Sequence, residues 1–186
     1  MRAFLAVELP EDIRRALAQL QRRLAESHAD VKWTEEANLH ITMRFLGEIS
    51  QEQREAVEQL VARLAQRHHG QPVSLSQLGA FPSVSAPRVI WVGVGEGKLW
   101  LHQVASQVED GLGDLGFAKE ERAWTAHVTL GRVRSPTRRA DLAARLRPTI
   151  WEPSHAFRVT HLTLFQSTLT GSGPIYSALA RAPFGE

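Results

Sequence analysis

The sequence predicts a chain of mixed helices and strands folded as two similar lobes about a cleft. Three observations lead there. Strand-like alternation and helix-like spacing of apolar residues run through the chain in an order that occurs twice, each half carries a His-x-Thr tetrad on a strand, and no stretch resembles a long interdomain linker. At 186 residues, with 43% hydrophobic and 23% charged residues, the chain can bury a sizeable core and is too short for a multi-domain machine. The expectation is one unit, residues 1–186, of two intertwined lobes with a natural ligand site between them.

Residues 3–9 read as a strand, after which Pro10 opens a helix with Ile13, Leu17, Leu20 and Leu24 on its apolar face. Residues 38–46 form the next strand. Ser50 and Gln53 make a capping box for a second helix, whose stripe of Val57, Leu60, Val61 and Leu64 runs to a polar stop at residues 68–70. Strands at 73–78 and 89–94 flank a turn rich in Pro and Ser, and Leu101, Val104, Val108 and Leu112 mark a third helix. The order then repeats, with a strand at 124–133, a short helix capped at Ser135-Pro136 and reaching about residue 146, and closing strands at 157–166 and 175–179.

Composition removes whole classes of chemistry. With no cysteine there is no disulfide framework, no thiolate nucleophile and no Cys-ligated metal. The apolar run at residues 4–7 is too short for a signal-peptide core, and nothing later approaches the ~18 to 20 apolar residues of a membrane span, so the expectation is a cytoplasmic protein with no membrane partner. Net charge is +2, yet Lys32, Lys98 and Lys119 are the only lysines among 22 cations. Arginine's planar fork suits phosphate, although an arginine on an exposed helix face needs no ligand; the run Arg134, Arg138, Arg139, Arg145 and Arg147 reads first as a solvated helix face and second as a guide for a phosphate backbone.

Chemistry is concentrated on two strands. By alternation, Leu39, Ile41, Met43 and Phe45 face one way, toward the core, while His40, Thr42 and Arg44 face the other. Ala126, Val128 and Leu130 likewise alternate with His127, Thr129 and Gly131, so a second strand presents the same pair on its polar face. A His, apolar, Ser/Thr, apolar tetrad should arise by chance roughly 0.2 times in a chain of this composition. Three occur. The third, His161-Leu162-Thr163-Leu164, lies in a closing strand and is followed by Phe165 rather than an arginine, so it ranks below the other two. His28, His68, His69, His102 and His155 have no partner spacing and read as surface residues.

Paired histidines suit the opening of a cyclic phosphodiester. In-line displacement needs a base for the attacking water and an acid for the departing ribose oxygen on opposite sides of phosphorus, and two imidazoles with ordinary pKa near ~6.5 can divide those tasks without a metal or a covalent intermediate. A threonine two residues along each strand can donate its hydroxyl to a non-bridging oxygen. The result is a cage with two-fold character, in which the residues alone leave open which histidine is acid and which is base. Arg44, on the same face as His40, is the better placed phosphate ligand. Strict alternation puts Arg132 opposite His127, so its participation requires a twist or bulge near Gly131.

These residues, together with residues 2–7 before Pro10, Trp33 ahead of residues 38–48, residues 79–81 and 87–91, and the closing Ser167 and residues 173–176, resemble the two-histidine phosphoesterases nearly end to end. Within them the similarity is to the RNA 2',3'-cyclic phosphodiesterases first described as 2'-5' RNA ligases. The resemblance implies an α+β fold, bilobal and pseudo-two-fold, with two antiparallel-rich sheets flanking a central cleft and helices outside. It implies hydrolysis of an RNA-terminal 2',3'-cyclic phosphate, or of small cyclic nucleotides, to a 2'-phosphate without cofactor or metal, and a limited ATP-independent 2'-5' joining. Carried over by position, His40 is the proton donor and His127 the proton acceptor, with Thr42, Thr129, Arg44 and Arg132 on the phosphate. Ala126 departs from the proline that commonly precedes the second histidine. Two other readings stand beside this one: an RNA-end or nucleotide-binding module without turnover, and a zinc hydrolase that gathers His40, His127 and His161.

Overall fold

The computed structural model describes residues 1–186. In chain order the elements are β1 (Arg2–Glu8), α1 (Glu11–Ala25), β2 (Val31–Trp33), a 3-10 turn (Glu36–Asn38), β3 (His40–Glu48), α2 (Gln51–Gln66), β4 (Gln71–Val73), β5 (Leu75–Ser83), β6 (Ala86–Val94), α3 (Lys98–Asp114), β7 (His127–Val133), α4 (Arg139–Leu146), β8 (Phe157–Val159), β9 (His161–Thr170) and β10 (Gly173–Pro183). None of the helices is long and apolar enough to cross a membrane. The capping box forms as predicted: Ser50 Oγ accepts from the Gln53 backbone N–H, and the Gln53 side chain accepts from that of Ser50.

Strand order is β10-β9-β1-β3-β7-β6-β5, with β2 also paired to β7 and every pair antiparallel; β4 and β8 form a separate ribbon. The long sheet is two four-stranded halves that meet at one residue pair, Ile41 with Val128. Beyond that pair the halves diverge, which opens the cleft. Helices α2 and α3 cover the first half, and α1 and α4 lie over the second. Because β1 belongs to the first half and α1, directly after it, packs on the second, the halves interlock through the chain itself.

Several local expectations shift. The site-bearing strands begin at His40 and His127, the helix foreseen after Ser135 starts at Arg139, and β2 and the 3-10 turn were not foreseen. Two bulges matter most. In β3, Ala6 pairs with Thr42 and Leu5 with Arg44, leaving Met43 as an extra residue; in β7, Trp91 pairs with Thr129 and Ile90 with Gly131, leaving Leu130 extra. Both fall on the fourth residue of a tetrad, and each reverses the facing of the residues that follow it directly, Arg44 and Phe45 in β3 and Gly131 and Arg132 in β7.

Each bulge is pinned from outside its strand. The Leu130 carbonyl accepts from the Thr34 backbone N–H at 2.9 Å and from Gln21 Nε2 at 2.8 Å, and Gln21, on the buried face of α1, also donates to the Thr34 carbonyl. At the other bulge the Trp124 indole N–H donates to the Thr42 carbonyl at 3.0 Å. Gln21→Leu removes both amide bonds, leaving the Thr34 carbonyl without this donor and the Leu130 carbonyl with the Thr34 N–H alone, and a loss of about 1–3 kcal/mol in urea unfolding is the expected cost. A change within a few tenths of wild type would show that water or relaxation replaces the amide.

Candidate active site

His40 and His127 open β3 and β7, one residue before the pair that joins the halves. Antiparallel pairing of Ile41 with Val128 puts His40 toward Thr129 and His127 toward Thr42, so a local two-fold relates the tetrads. Each ring is aimed the same way. His40 Nδ1 lies against the Asn38 carbonyl and His127 Nδ1 is 2.7 Å from that of Thr125. A carbonyl only accepts, so Nδ1 carries the proton in both neutral rings and Nε2 is left for chemistry. His40 Nε2 then accepts from the Thr42 hydroxyl at 2.7 Å.

The bulges decide what else reaches the cleft. Beyond Leu130, Arg132 pairs with Val89 and shares the face of Thr129 and His127, supplying the irregularity its participation required. Beyond Met43, Arg44 turns to the opposite face. There its guanidinium meets Glu109 of α3 at 2.7 Å and the Ala118 carbonyl, and Glu109 also accepts from the Glu120 N–H. Arg44 therefore ties the segment before β7 to β3 and is not gathered with His40, Thr42, His127, Thr129 and Arg132. Phe45, expected in the core with Met43, occupies the position in β3 that Arg132 occupies in β7; it pairs with Phe4 and is 59% exposed on the cleft side.

Aromatic rings line both walls. Phe4 stacks on Phe165 at 5.3 Å and meets His40 at 5.1 Å, Tyr176 at 4.8 Å and Phe45 at 6.0 Å. Across the cleft, Phe81 and Trp91 flank His127. Trp91 lies flat over Gly79, where a Cβ would come within 2.4 Å of the indole, so that position needs glycine for the close approach. Sequence reasoning missed this wall, and it missed Gln21 and Trp124; a glutamine inside the Leu17, Leu20, Leu24 stripe was the available signal.

His161 goes elsewhere. Its Nε2 meets Glu8, whose carboxylate also accepts from Thr163 at 2.8 Å and from Arg181 through two bonds of 2.9 and 3.0 Å. The Arg181 bonds, assisted by His161 and Thr163 against the cost of burial, lower the Glu8 carboxyl to about 2. A three-histidine metal site is not assembled, and no group of three or more His, Asp or Glu side chains converges to hold an ion. His102 is also corrected: it packs edge-on against Trp124 at 4.9 Å with its Nε2 enclosed, rather than lying free on the surface. In the arginine run, Arg134, Arg138 and Arg145 pair with Asp30, Asp141 and Glu26.

The model of the "LigT like Phosphoesterase" family matches the chain twice, at residues 7–91 and 92–176, the first copy holding the His40 tetrad and the second the His127 tetrad. The chain belongs to that family. An RNA 2',3'-cyclic phosphodiesterase of Methanocaldococcus jannaschii is 33% identical over 96% of this chain and 98% of its own, and one of Aeropyrum pernix is 36% identical over 88% and 92%. The crystal structure of Escherichia coli LigT complexed with 3'-AMP superposes with a TM-score of 0.79 at 25% identity, covering 100% of this chain and 98% of that one. The doubled match of the LigT-like phosphoesterase pattern has its physical counterpart in the two bulged strands.

Burial lowers the pKa of both histidines below the usual 6.5; His40 is lowered further by the charge of His127, and His127 by that of Arg132, while the backbone carbonyls act in the opposite sense. A depressed imidazole adds stability above its unfolded value that is lost as pH falls through the folded one. Proton NMR titration should therefore give two histidine midpoints below 6.5. In Arg132→Ala the His127 midpoint should rise while that of His40 barely moves; equal shifts of both rings would mean that Arg132 does not act locally.

Proposed function

We propose that this LigT-like phosphoesterase is an RNA 2',3'-cyclic phosphodiesterase, opening a terminal 2',3'-cyclic phosphate to a 2'-phosphate by general acid and base catalysis. The observation that carries the reading is the pair of His-x-Thr strands joined at Ile41 and Val128, with both Nε2 atoms left for chemistry by the carbonyls behind them. The names of the curated relatives support the reaction class, and the LigT complex with 3'-AMP supports a nucleotide in the cleft. The same reading makes residues 1–186 one working unit, because neither interlocked half holds a complete cage, and puts its action on RNA in the cytoplasm.

In this mechanism the cyclic phosphate sits between the two lobes. His127 Nε2 takes a proton from the attacking water, the bond from phosphorus to the ribose 3' oxygen breaks, and protonated His40 Nε2 supplies the proton that oxygen needs. Thr42 and Thr129 hydroxyls and the Arg132 guanidinium hold the non-bridging oxygens, where charge grows during displacement. A bound phosphate anion also favours the imidazolium, offsetting the burial that depresses His40 in the free protein. With the 5' hydroxyl of a second RNA in place of water, the same transfers join two ends: His127 Nε2 takes the hydroxyl proton, the 5' oxygen bonds to phosphorus as the bond to the 3' oxygen breaks, and His40 protonates that oxygen, leaving a 2'-5' linkage without ATP.

The test is incubation of a short RNA ending in a 2',3'-cyclic phosphate with excess EDTA present, resolving 2'- from 3'-phosphate products. Wild type should give the 2'-phosphate. His40→Ala and His127→Ala should each lose about 10²–10⁴-fold in kcat with the fold retained by circular dichroism. Binding of the RNA without product would establish a binding module instead, and activity that disappears with chelator would favour a metal-dependent route.

A further inference from the structure

Beside His40, on the side away from His127, the first half of the sheet holds a hollow of about 230 Å³ lined by Leu39, His40, Tyr176, Arg14, Arg181 and Glu8 among others. A second hollow of about 300 Å³ continues from Glu8 and Arg181 past His161 to Arg158. Across the strands the path runs from β3 over β1 and β9 to β10, three spacings of ~4.8 Å or about 14 Å, which carries it away from the reacting phosphate. The only carboxylate along it, Glu8, is already saturated by Arg181, His161 and Thr163.

Arg14 is different. It lies on α1, its Nε is enclosed with no hydrogen-bond partner, and no carboxylate holds its guanidinium, whereas Arg181 donates to Glu8 through both Nε and Nη2. An enclosed guanidinium N–H without an acceptor is costly, and Arg14 lines the hollow, where a ligand can bring acceptor oxygens to the group. Its fork matches the two free oxygens of a phosphodiester. Tyr176, partly exposed and backed by the buried Phe165, offers ring surface in the same hollow. From these placements we infer that this hollow is the subsite for the nucleotide immediately upstream of the cyclic end, and that Arg14 binds the phosphodiester linking the two nucleotides. The inference rests on the RNA-end reading above and adds to it the path of the chain.

The experiment compares kcat/KM for a dinucleotide ending in a 2',3'-cyclic phosphate with that for the corresponding 2',3'-cyclic mononucleotide. Wild type should favour the dinucleotide. Arg14→Gln should lower that preference roughly tenfold, through KM rather than kcat, and Arg14→Lys, which keeps the charge, should retain part of it. The preference of wild type should also weaken with added salt more steeply than that of Arg14→Gln, because one phosphate contact fewer is being screened. A wild-type preference near one, or a preference unchanged in Arg14→Gln, overturns the subsite. Equal losses on both substrates also overturn it, since that is what a merely structural role predicts. Failure of wild type to open either substrate would instead overturn the RNA-end reading.

Discussion

One residue pair, Ile41 with Val128, holds the two halves of the sheet edge to edge, and the geometry of the cleft follows from it. Both side chains are fully buried, so the junction is anchored by packing as well as by the ladder. An antiparallel pair has a local two-fold between its members, and the histidines and threonines inherit that symmetry because they flank the paired residues directly. A longer ladder here would flatten the two halves into a continuous surface. With only one pair, the strands part at once and leave room for a ligand between the tetrads.

The bulges then break the symmetry that the pairing creates. They fall at matching positions, Met43 and Leu130, and bring the second residue after each bulge into the cleft. In one strand that residue is Phe45, an apolar ring; in the other it is Arg132, a cation. One wall thereby becomes a surface for a ring and the other a holder of charge, so the cage has a direction although its backbone is nearly symmetric. Gln21 and Trp124 stabilise this arrangement by satisfying the strand carbonyls at or beside the bulges.

Charge is managed by separating paired from unpaired cations. Arg44 with Glu109, Arg181 with Glu8, and three arginines of the run after β7 are matched to carboxylates and serve to tie segments together. Arg132 and Arg14 lack such a partner. Abundance of arginine therefore says little by itself, and neither does the lack of a neighbouring acid, since Arg63 and Arg147 are unpaired on exposed surface; what sets Arg132 and Arg14 apart is placement, one on the face of His127 and Thr129 and the other in the hollow beside His40.

The sequence by itself determined the fold class, the capping box, the order of most elements and the doubled tetrad, because period-two and helical spacing are local properties written in neighbouring residues. Within each tetrad it also placed His40 with Thr42 and His127 with Thr129, two residues apart on an extended strand. Tertiary structure decided what lay past the fourth residue. A bulge depends on the partner strand's register and on outside donors such as Gln21 and Trp124, none of which is adjacent in sequence, and strict alternation therefore misplaced Arg44, Phe45 and Arg132. The fate of His161 was likewise decided at a distance, by Glu8 and Arg181 arriving from strands at the two ends of the chain. Local pattern fixes which face a residue prefers; the neighbours brought by folding determine whether that face is a core, an ion pair or a site.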